Sequence, residues 1–227
     1  MNDIAANLEF LRSNVPASVR IVAVSKTKSA EDIMAAYNSG QRMFGENRVQ
    51  ELQMKQDKLP GDIQWHMLGH LQTNKVKQII SFVSLIQSVD SLKLLSVINS
   101  ESDKAGRITD CLLQIRIARE ETKYGFLPDE LMEIFQTGAT VGMNNISIRG
   151  VMGMATFTDD SEQVRSEFRN LKSAFSRLKE NYFHNDPNFN EISMGMSGDY
   201  MIAVEEGSTM VRIGSLIFGE RNPIKKQ

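Results

Sequence analysis

The sequence predicts an α/β protein that folds as a single (β/α)8 barrel, also called a TIM barrel, with an extra helix before the first strand. Eight short apolar runs, rich in β-branched residues, alternate along the chain with longer segments of helical periodicity. Strands that are separated by helices in this way pair in parallel and are buried on both faces of the sheet. The length of 227 residues is also that of one barrel domain, so we expect residues 1–227 to form a single domain.

The predicted strands are short and nearly continuous in apolar residues, as strands of a parallel sheet are. Eight strand–helix units close into a barrel more readily than they form an open sheet, and an open, doubly wound sheet is the alternative. In chain order, the predicted strands are residues 21–25, 41–45, 63–68, 84–88, 109–117, 146–152, 191–194 and 209–213.

The segments between the strands carry the signals of helices. Ser29 is placed to cap a helix over residues 31–38, and Pro128 stands at a helix start, where its missing N–H costs little. The longest helix is predicted over residues 161–183, which carry a single apolar stripe. The other predicted helices are the extra one at residues 4–12 and those at 73–80 and 91–105.

The composition argues against several classes of partner and location. The chain has 26 basic and 28 acidic residues, a formal net charge of −2. Nucleic acids and anionic membranes are normally bound by a basic face, so neither is an expected partner. Residues 1–4 lack the basic and apolar run of a signal peptide, and no stretch approaches the roughly 18 apolar residues of a membrane span. We therefore expect a cytoplasmic protein.

Residue types that often carry chemistry are sparse. The single cysteine, Cys111, lies in a predicted strand, so we expect a buried and inert thiol. His66, His70 and His184 lack the spacing of metal ligands, so no metal is expected. His66 could point into the barrel beside a ligand or could be a core histidine bonded to the backbone, and the second interpretation is favoured. Trp65 is expected to serve packing.

The residues that point to a site follow the first, seventh and eighth strands. In a (β/α)8 barrel these strand ends surround one mouth, and phosphate often binds the loops after the last two strands. Lys26 ends the first strand, residues 193–199 follow the seventh, and Gly214 and Ser215 follow the eighth. Both loops carry small residues and open a helix, so their amides and serine hydroxyls could donate to an anion. Arg212 lies within the eighth strand, where a buried guanidinium needs a partner.

Each of these features has an ordinary structural explanation. A lysine at a strand end is usually solvated, Gly and Ser are common turn residues, and Arg212 could pair with a buried carboxylate of a neighbouring strand. Together they bring an amine, phosphate donors and a partner for a ring nitrogen to one mouth. That combination suits pyridoxal 5'-phosphate, which we expect Lys26 to carry as a Schiff base.

Six segments of the chain also match the motifs of a known family. They are residues 23–27 (AVSKT), 44–47 (FGEN), 65–75 (WHMLGHLQTNK), 149–152 (RGVM) and the two loops at 193–200 and 211–219. With these segments in this order, the chain resembles the YggS/PROSC family of pyridoxal phosphate homeostasis proteins, which is similar to the barrel domain of alanine racemase. The resemblance covers nearly the whole chain.

The resemblance implies a role for each matching position. Lys26 would form the Schiff base, Arg212 would face the pyridine nitrogen, and Asn47 would lie beside the cofactor. Two residues from each of the last two loops would hold the phosphate, and the methionine before the first pair would touch the same pocket. The expected cofactor-binding residues are therefore Lys26, Asn47, Met196, Ser197, Gly198, Arg212, Gly214 and Ser215.

Three functions are compatible with these residues. The favoured one is a non-catalytic carrier in pyridoxal phosphate homeostasis, with pyridoxal-phosphate-dependent apoenzymes as candidate partners. The main alternative is a small amino-acid racemase, and the third is an aldolase that uses Lys26 without a cofactor. Arg212 keeps its proton, so a ring nitrogen in contact with it would stay unprotonated and the ring would be a weaker electron sink. We also expect the chain to lack the further domain that supplies the opposing tyrosine base in alanine racemase, and we expect no catalytic residue.

Overall fold

The protein folds as a closed barrel of eight parallel strands, and the structure, a computed structural model, describes residues 3–118 and 124–220. The strands are β1 Arg20–Val24, β2 Met43–Glu46, β3 Gln64–Met67, β4 Leu85–Val89, β5 Thr109–Gln114, β6 Ile146–Met152, β7 Glu191–Ser193 and β8 Met210–Ile213. The helices are α1 Ile4–Asn14, α2 Ala30–Asn38, α3 Val49–Gln56, α4 Leu92–Lys104, α5 Pro128–Gln136, α6 Ser161–Asn181, α7 Tyr200–Glu205 and α8 Ser215–Phe218, with a 3-10 helix at Thr73–Gln78.

The first and last strands close the barrel. Strand β1 pairs in parallel with β8 over four positions, and each other strand pairs with its neighbours in chain order. An open sheet would leave β1 and β8 as unpaired edges, whereas closure satisfies their backbone groups. The prediction of a (β/α)8 barrel with an extra N-terminal helix is therefore confirmed, and the doubly wound alternative is wrong.

The predicted and observed elements differ most at one strand and one helix. The strand predicted over residues 109–117 ends at Gln114. Beyond it the chain pairs with the returning loop, because Phe126 N–H donates to Gln114 O at 2.8 Å and Arg116 N–H donates to Phe126 O at 3.0 Å. Helix α3 was not predicted, since only Val49 and Leu52 of its residues are buried and its apolar stripe is correspondingly thin.

The core has two layers, one inside and one outside the barrel. The outer layer packs the barrel against the helices and includes the fully buried side chains of Phe44, Phe168 and Phe189. The barrel interior contains a separate apolar cluster from five strands, as the interior of a (β/α)8 barrel is packed and not a pore. That cluster comprises Val22, Leu85, Leu112, Met152 and Met210.

The extra helix α1 lies against α2 and α8 in the outer ring. Leu8 and Leu11 bury its apolar face, and Asn7 Nδ2 donates to Ile217 O of α8 at 3.0 Å. No helix in the described ranges combines the length and the apolar character needed to cross a membrane.

Two sequence interpretations of core residues are confirmed. Cys111 is buried, and burial raises the pKa of its thiol, so it stays protonated and unreactive. Trp65 is 2% exposed and packs against Phe44, with ring centroids 5.9 Å apart.

Candidate functional site

A cavity of about 530 Å³ opens at the C-terminal ends of the strands. Its walls come from the segments that follow β1, β2, β3, β6, β7 and β8, which is the end of the barrel where the sequence predicted a site. Every residue expected from the sequence to bind the cofactor lines it. These residues are Lys26, Asn47, Met196, Ser197, Gly198, Arg212, Gly214 and Ser215.

Two lysines reach the cavity from the segment after β1, and their surroundings differ. Lys26 is half-buried in a tight turn that Lys28 N–H closes by donating to Ser25 O at 3.0 Å. Lys28 Nζ donates to the carbonyl oxygens of Phe218 and Gly219 at 2.9 and 3.1 Å, where it stabilises the end of α8. The ammonium of Lys28 is therefore committed to the backbone of the chain.

The loops after β7 and β8 meet at the expected anion site. Gly214 N–H donates to Ser197 Oγ at 3.2 Å, and this bond holds the two loops together. The first loop begins at Gly195, which has a φ of 94° and whose Cβ, if present, would lie 2.5 Å from Ala203 Cβ. Only glycine allows α7 to pack this closely on the strand end. Ser215 is exposed and begins α8, so both loops open a helix as predicted.

Arg212 is buried at the base of the cavity, and its guanidinium donates hydrogen bonds to neutral acceptors. Nη1 donates to Ser193 Oγ at 2.7 Å and Nη2 donates to Gly153 O at 2.9 Å. Burial lowers the pKa of Arg212 to about 10, and the nearby Asp199 carboxylate opposes that shift, so the guanidinium is charged at neutral pH. Asp199, in the loop after β7, acts on Arg212 through its charge, whereas the hydrogen bonds of Arg212 go to Ser193 and Gly153 and not to a carboxylate of a neighbouring strand.

Asp199 closes a turn in the loop after β7. Its Oδ1 accepts from Met196 N–H, which fixes the turn over residues 196–199. Burial raises the pKa of Asp199, while the Met196 amide and the charge of Arg212 act in the opposite direction. Asp199 therefore compensates part of the positive charge of Arg212 without removing it from the cavity.

A chain of hydrogen bonds inside the barrel supports Arg212 from below. Ser193 Oγ donates to Gln87 Oε1 at 2.7 Å, and Gln87 Nε2 lies 2.9 Å from His66 Nδ1. Because an amide nitrogen only donates, His66 Nδ1 is the acceptor and its proton is on Nε2. His66 is buried as predicted, but the favoured prediction of a backbone partner is wrong, since the side-chain amide of Gln87 occupies that nitrogen.

His66 makes the stability of the protein depend on pH. Burial and, secondly, the charge of Arg20 lower the pKa of His66 to about 3, so the unfolded chain binds more protons than the folded protein between that value and 6.5. We therefore expect His66 to contribute its full stabilisation of the folded protein above pH 6.5 and to lose it progressively as the pH falls toward 3. Urea unfolding across this interval should give a shallower pH dependence for His66→Asn, which keeps an acceptor for Gln87 but does not titrate. The exposed His184→Asn is the matched control, and an equally steep dependence in His66→Asn would contradict this origin.

The loop after β6 forms the remaining wall of the cavity. The buried carboxylate of Glu167 accepts from Thr156 N–H at 2.6 Å, from Thr156 Oγ1 at 2.8 Å and from Gln163 Nε2 at 3.1 Å. The next residue, Phe157, is 99% exposed at the rim. The wall is thus anchored at Thr156 and apolar at its edge.

The donor set of the cavity fits pyridoxal phosphate. Lys26 supplies an amine, the two loops supply serine hydroxyls and backbone amides beside each other, and Arg212 supplies a charged donor at the base. Within residues 3–118 and 124–220, no group of three His, Cys, Asp or Glu side chains is arranged to hold a metal ion. Sequence reasoning missed Gln87 and Ser193 as supports of Arg212, because their contact depends on strands far apart in the chain.

The chain is similar to proteins of one family throughout its length. The model of the alanine racemase N-terminal domain matches residues 1–222. The pyridoxal phosphate homeostasis protein of Aquifex aeolicus is 39% identical over 203 residues, which are 89% of this chain and 87% of that protein. The pyridoxal phosphate homeostasis protein of Pongo abelii is 40% identical over 218 residues, or 91% of this chain and 78% of that protein.

Solved structures extend this similarity to the fold. PipY of Synechococcus elongatus, solved with pyridoxal phosphate bound, is 35% identical and has a TM-score of 0.85, with 95% of this chain and 100% of that chain covered. An alanine racemase of Clostridium difficile is 16% identical with a TM-score of 0.77, covering 98% of this chain and 57% of that one. At that identity the racemase shares the barrel fold only.

Proposed function

The chain belongs to the pyridoxal phosphate homeostasis protein family, and from that membership and the geometry of its cavity we propose that it binds pyridoxal 5'-phosphate through Lys26 and acts in the homeostasis of that cofactor. The observation that carries this proposal is the convergence of eight residues, chosen from sequence, on one cavity. We further propose that residues 1–227 act as one domain in the cytoplasm.

Each part of the cavity has a separate task in this proposal. Lys26 is the amine that would bond to the aldehyde carbon, because Lys28 is committed to the carbonyls at the end of α8. The phosphate would be held by the two joined loops, through Ser197 and Gly198 of the first and Gly214 and Ser215 of the second. Arg212, at the base of the cavity, would face the ring nitrogen, and Asn47 and Met196 would contact the cofactor from the cavity wall.

The same residues favour a carrier over a catalyst. Bound pyridoxal phosphate supplies an aldehyde that exchanges between amines, and a ring that can accept electrons when its nitrogen is protonated. Arg212 only donates, so it leaves that nitrogen without a proton. Ser193 and Gly153 O keep Arg212 in this orientation. The ring is then a weak acceptor of electrons, which suits holding and release better than carbanion chemistry.

Racemisation would need proton-transfer groups on both faces of a substrate carbon. Among the described residues that line the cavity, the ionisable side chains are those of Lys26, Lys28, Asp159, Asp199 and Arg212. Lys28 and Asp199 are engaged with backbone groups, Arg212 is a permanent donor, and Asp159 is exposed to solvent. We therefore propose that the protein has no strong catalysis of its own and transfers the cofactor to pyridoxal-phosphate-dependent apoenzymes.

The proposal is tested by loading the protein with its cofactor and mapping the attachment. The purified chain is dialysed against cysteine, titrated with pyridoxal phosphate and followed by visible absorbance, then reduced with borohydride and analysed by peptide mass mapping. A yellow protein with the reduced adduct on Lys26 is expected. A protein that stays colourless after addition of the cofactor would exclude this function.

A second assay separates the carrier from the enzyme. The loaded protein is mixed with the apo form of an aminotransferase in the presence of a phosphatase that destroys free pyridoxal phosphate. Recovery of aminotransferase activity is expected with the loaded protein and not with an equal amount of free cofactor. In parallel, the loaded protein is incubated with L-alanine in deuterated water, and rapid exchange of the α-proton would favour the racemase.

A further inference from the structure

The turn that carries Lys26 is strained. Lys28 N–H donates to Ser25 O, so Lys26 and Thr27 are the two central residues of the turn. Thr27 has a φ of 64°, and among the described residues other than glycine no other has a positive φ. Turns with a positive φ at this position normally have glycine or asparagine there, and a β-branched residue in this region is a genuine outlier. Strain of this kind persists only when surrounding contacts hold it.

Helix α3 contacts both sides of this turn. Glu51 Oε2 accepts from Thr27 N–H at 2.8 Å, directly after Lys26. Lys55 Nζ donates to Ser25 O at 2.8 Å, directly before Lys26. Glu51 and Lys55 lie one helical turn apart and their charged groups are 3.4 Å apart, so they bind the turn as a pair.

The pair rests on a buried carboxylate of β2. Glu46 Oε1 accepts from Lys55 Nζ at 2.8 Å and from Ser25 Oγ at 2.6 Å, and Glu46 is fully buried. A buried carboxylate is costly unless it is paired, which restricts where Lys55 can lie. The position of Ser25 is therefore fixed through its carbonyl and its hydroxyl together.

We propose that Glu51 and Lys55 are positioning residues that hold Thr27 at its strained φ and thereby direct the side chain of Lys26 into the cavity. This inference rests on the proposed function, because it concerns how Lys26 is presented to pyridoxal phosphate. Without the contact from Glu51, Thr27 relaxes to a negative φ. The Lys26–Thr27 peptide then rotates, and the amine moves away from the loops that hold the phosphate.

Binding of pyridoxal phosphate to four proteins tests this role: the wild type, Thr27→Gly, Glu51→Ala and the double variant. Glu51→Ala is expected to weaken binding by about tenfold, the factor that a backbone strain of this kind represents. Thr27→Gly is expected to bind like the wild type, since glycine adopts a positive φ without strain. For the same reason the double variant is expected to recover most of the affinity that Glu51→Ala loses. Failure of Thr27→Gly to rescue Glu51→Ala, or full affinity in Glu51→Ala alone, would overturn the proposal.

A conservative variant separates the hydrogen bond from the bulk of the side chain. Glu51→Gln keeps an oxygen that accepts from Thr27 N–H, so it is expected to bind within about threefold of the wild type. A loss as large as that of Glu51→Ala would overturn the proposed contact. If Glu51→Ala does not fold, Glu51→Ser takes its place among the four proteins. Serine keeps a polar group but is too short to reach Thr27.

Urea unfolding of the same four proteins without cofactor gives an independent readout. Thr27→Gly relieves strain only where Glu51 maintains it. Its effect on the free energy of unfolding is therefore expected to be more favourable when Glu51 is present than in the Glu51→Ala background. If the effects of the two substitutions on the free energy of unfolding were additive, the proposed role of Glu51 in holding Thr27 would be overturned. A wild type that binds no pyridoxal phosphate would overturn the proposed function, while this cycle would still decide whether Glu51 holds the turn.

Discussion

Replacing Lys26 with alanine is expected to abolish the covalent attachment of pyridoxal phosphate and to leave the barrel folded. Lys26 lies in a half-buried turn outside the core, so the free energy of unfolding should change by less than about 1 kcal/mol. The neighbouring amine cannot substitute, because Lys28 Nζ is held by carbonyl oxygens of the α8 end. We expect the variant to lose the visible absorbance and to give no borohydride-reduced peptide adduct in mass mapping.

Lys28→Met is the matched control for this experiment, since it removes a second lysine from the same cavity. It loses the contacts with the backbone after α8, so we expect the free energy of unfolding to fall by about 1–2 kcal/mol. The visible absorbance and the adduct on Lys26 should both remain. Persistence of the adduct in Lys26→Ala, or its loss in Lys28→Met, would contradict the assignment of the attachment to Lys26.

Replacing Arg212 with leucine is expected to destabilise the protein and to weaken its hold on the cofactor. The change leaves Gly153 O and Ser193 Oγ without a donor, and it removes the positive charge near Asp199. Leaving such groups buried and unpaired costs roughly 2–4 kcal/mol, which urea unfolding measures. Titration with pyridoxal phosphate should show weaker binding in the same variant, because the proposed contact with the ring nitrogen would be lost.

Arg107 provides a control of the same chemistry at a distance from the cavity. Its Nη1 and Nη2 donate to Ile80 O and Val83 O at 2.8 and 3.0 Å, so it also satisfies two backbone carbonyls. Arg107→Leu is expected to lower stability while leaving the affinity for pyridoxal phosphate unchanged. If both arginine variants reduced the affinity equally, Arg212 would have a structural role and no contact with the cofactor.

The strands were predictable because parallel strands in a barrel are buried on both faces and therefore read as continuous apolar runs. The predicted strand over residues 146–152 coincides with β6 at both bounds. The prediction extended β5 too far, since an apolar run does not reveal that Phe126 returns to pair with Gln114. Helix α3 was missed because its surface is largely polar, although Glu51 and Lys55 at a spacing of four residues are a recognised helical pair.

The residues that line the cavity were predictable for a different reason. A barrel gathers all C-terminal strand ends at one mouth, so topology brought Lys26, Arg212 and the last two loops to one site, while Asn47 and Met196 followed from the family resemblance. The supports of that site could not be found in this way. Gln87 contacts Ser193 across the barrel interior and His66 on the neighbouring strand, and such contacts depend on the relative register of strands and leave no local signal. The strain at Thr27 is likewise a property of the folded turn, where sequence alone would favour a negative φ.

The hydrogen bond between Gly214 N–H and Ser197 Oγ has a consequence for how readily a ligand leaves. A phosphate oxygen that takes the Gly214 amide replaces an acceptor that this amide already has, so the net gain from that bond is smaller than it would be for an unpaired amide. Departure of the phosphate is correspondingly inexpensive, because the Ser197 hydroxyl can return to the amide at once. In the proposed complex with pyridoxal phosphate, the Gly214 amide would thus exchange one oxygen acceptor for another. For the proposed carrier, loading and unloading at this amide would require no rearrangement of the two loops.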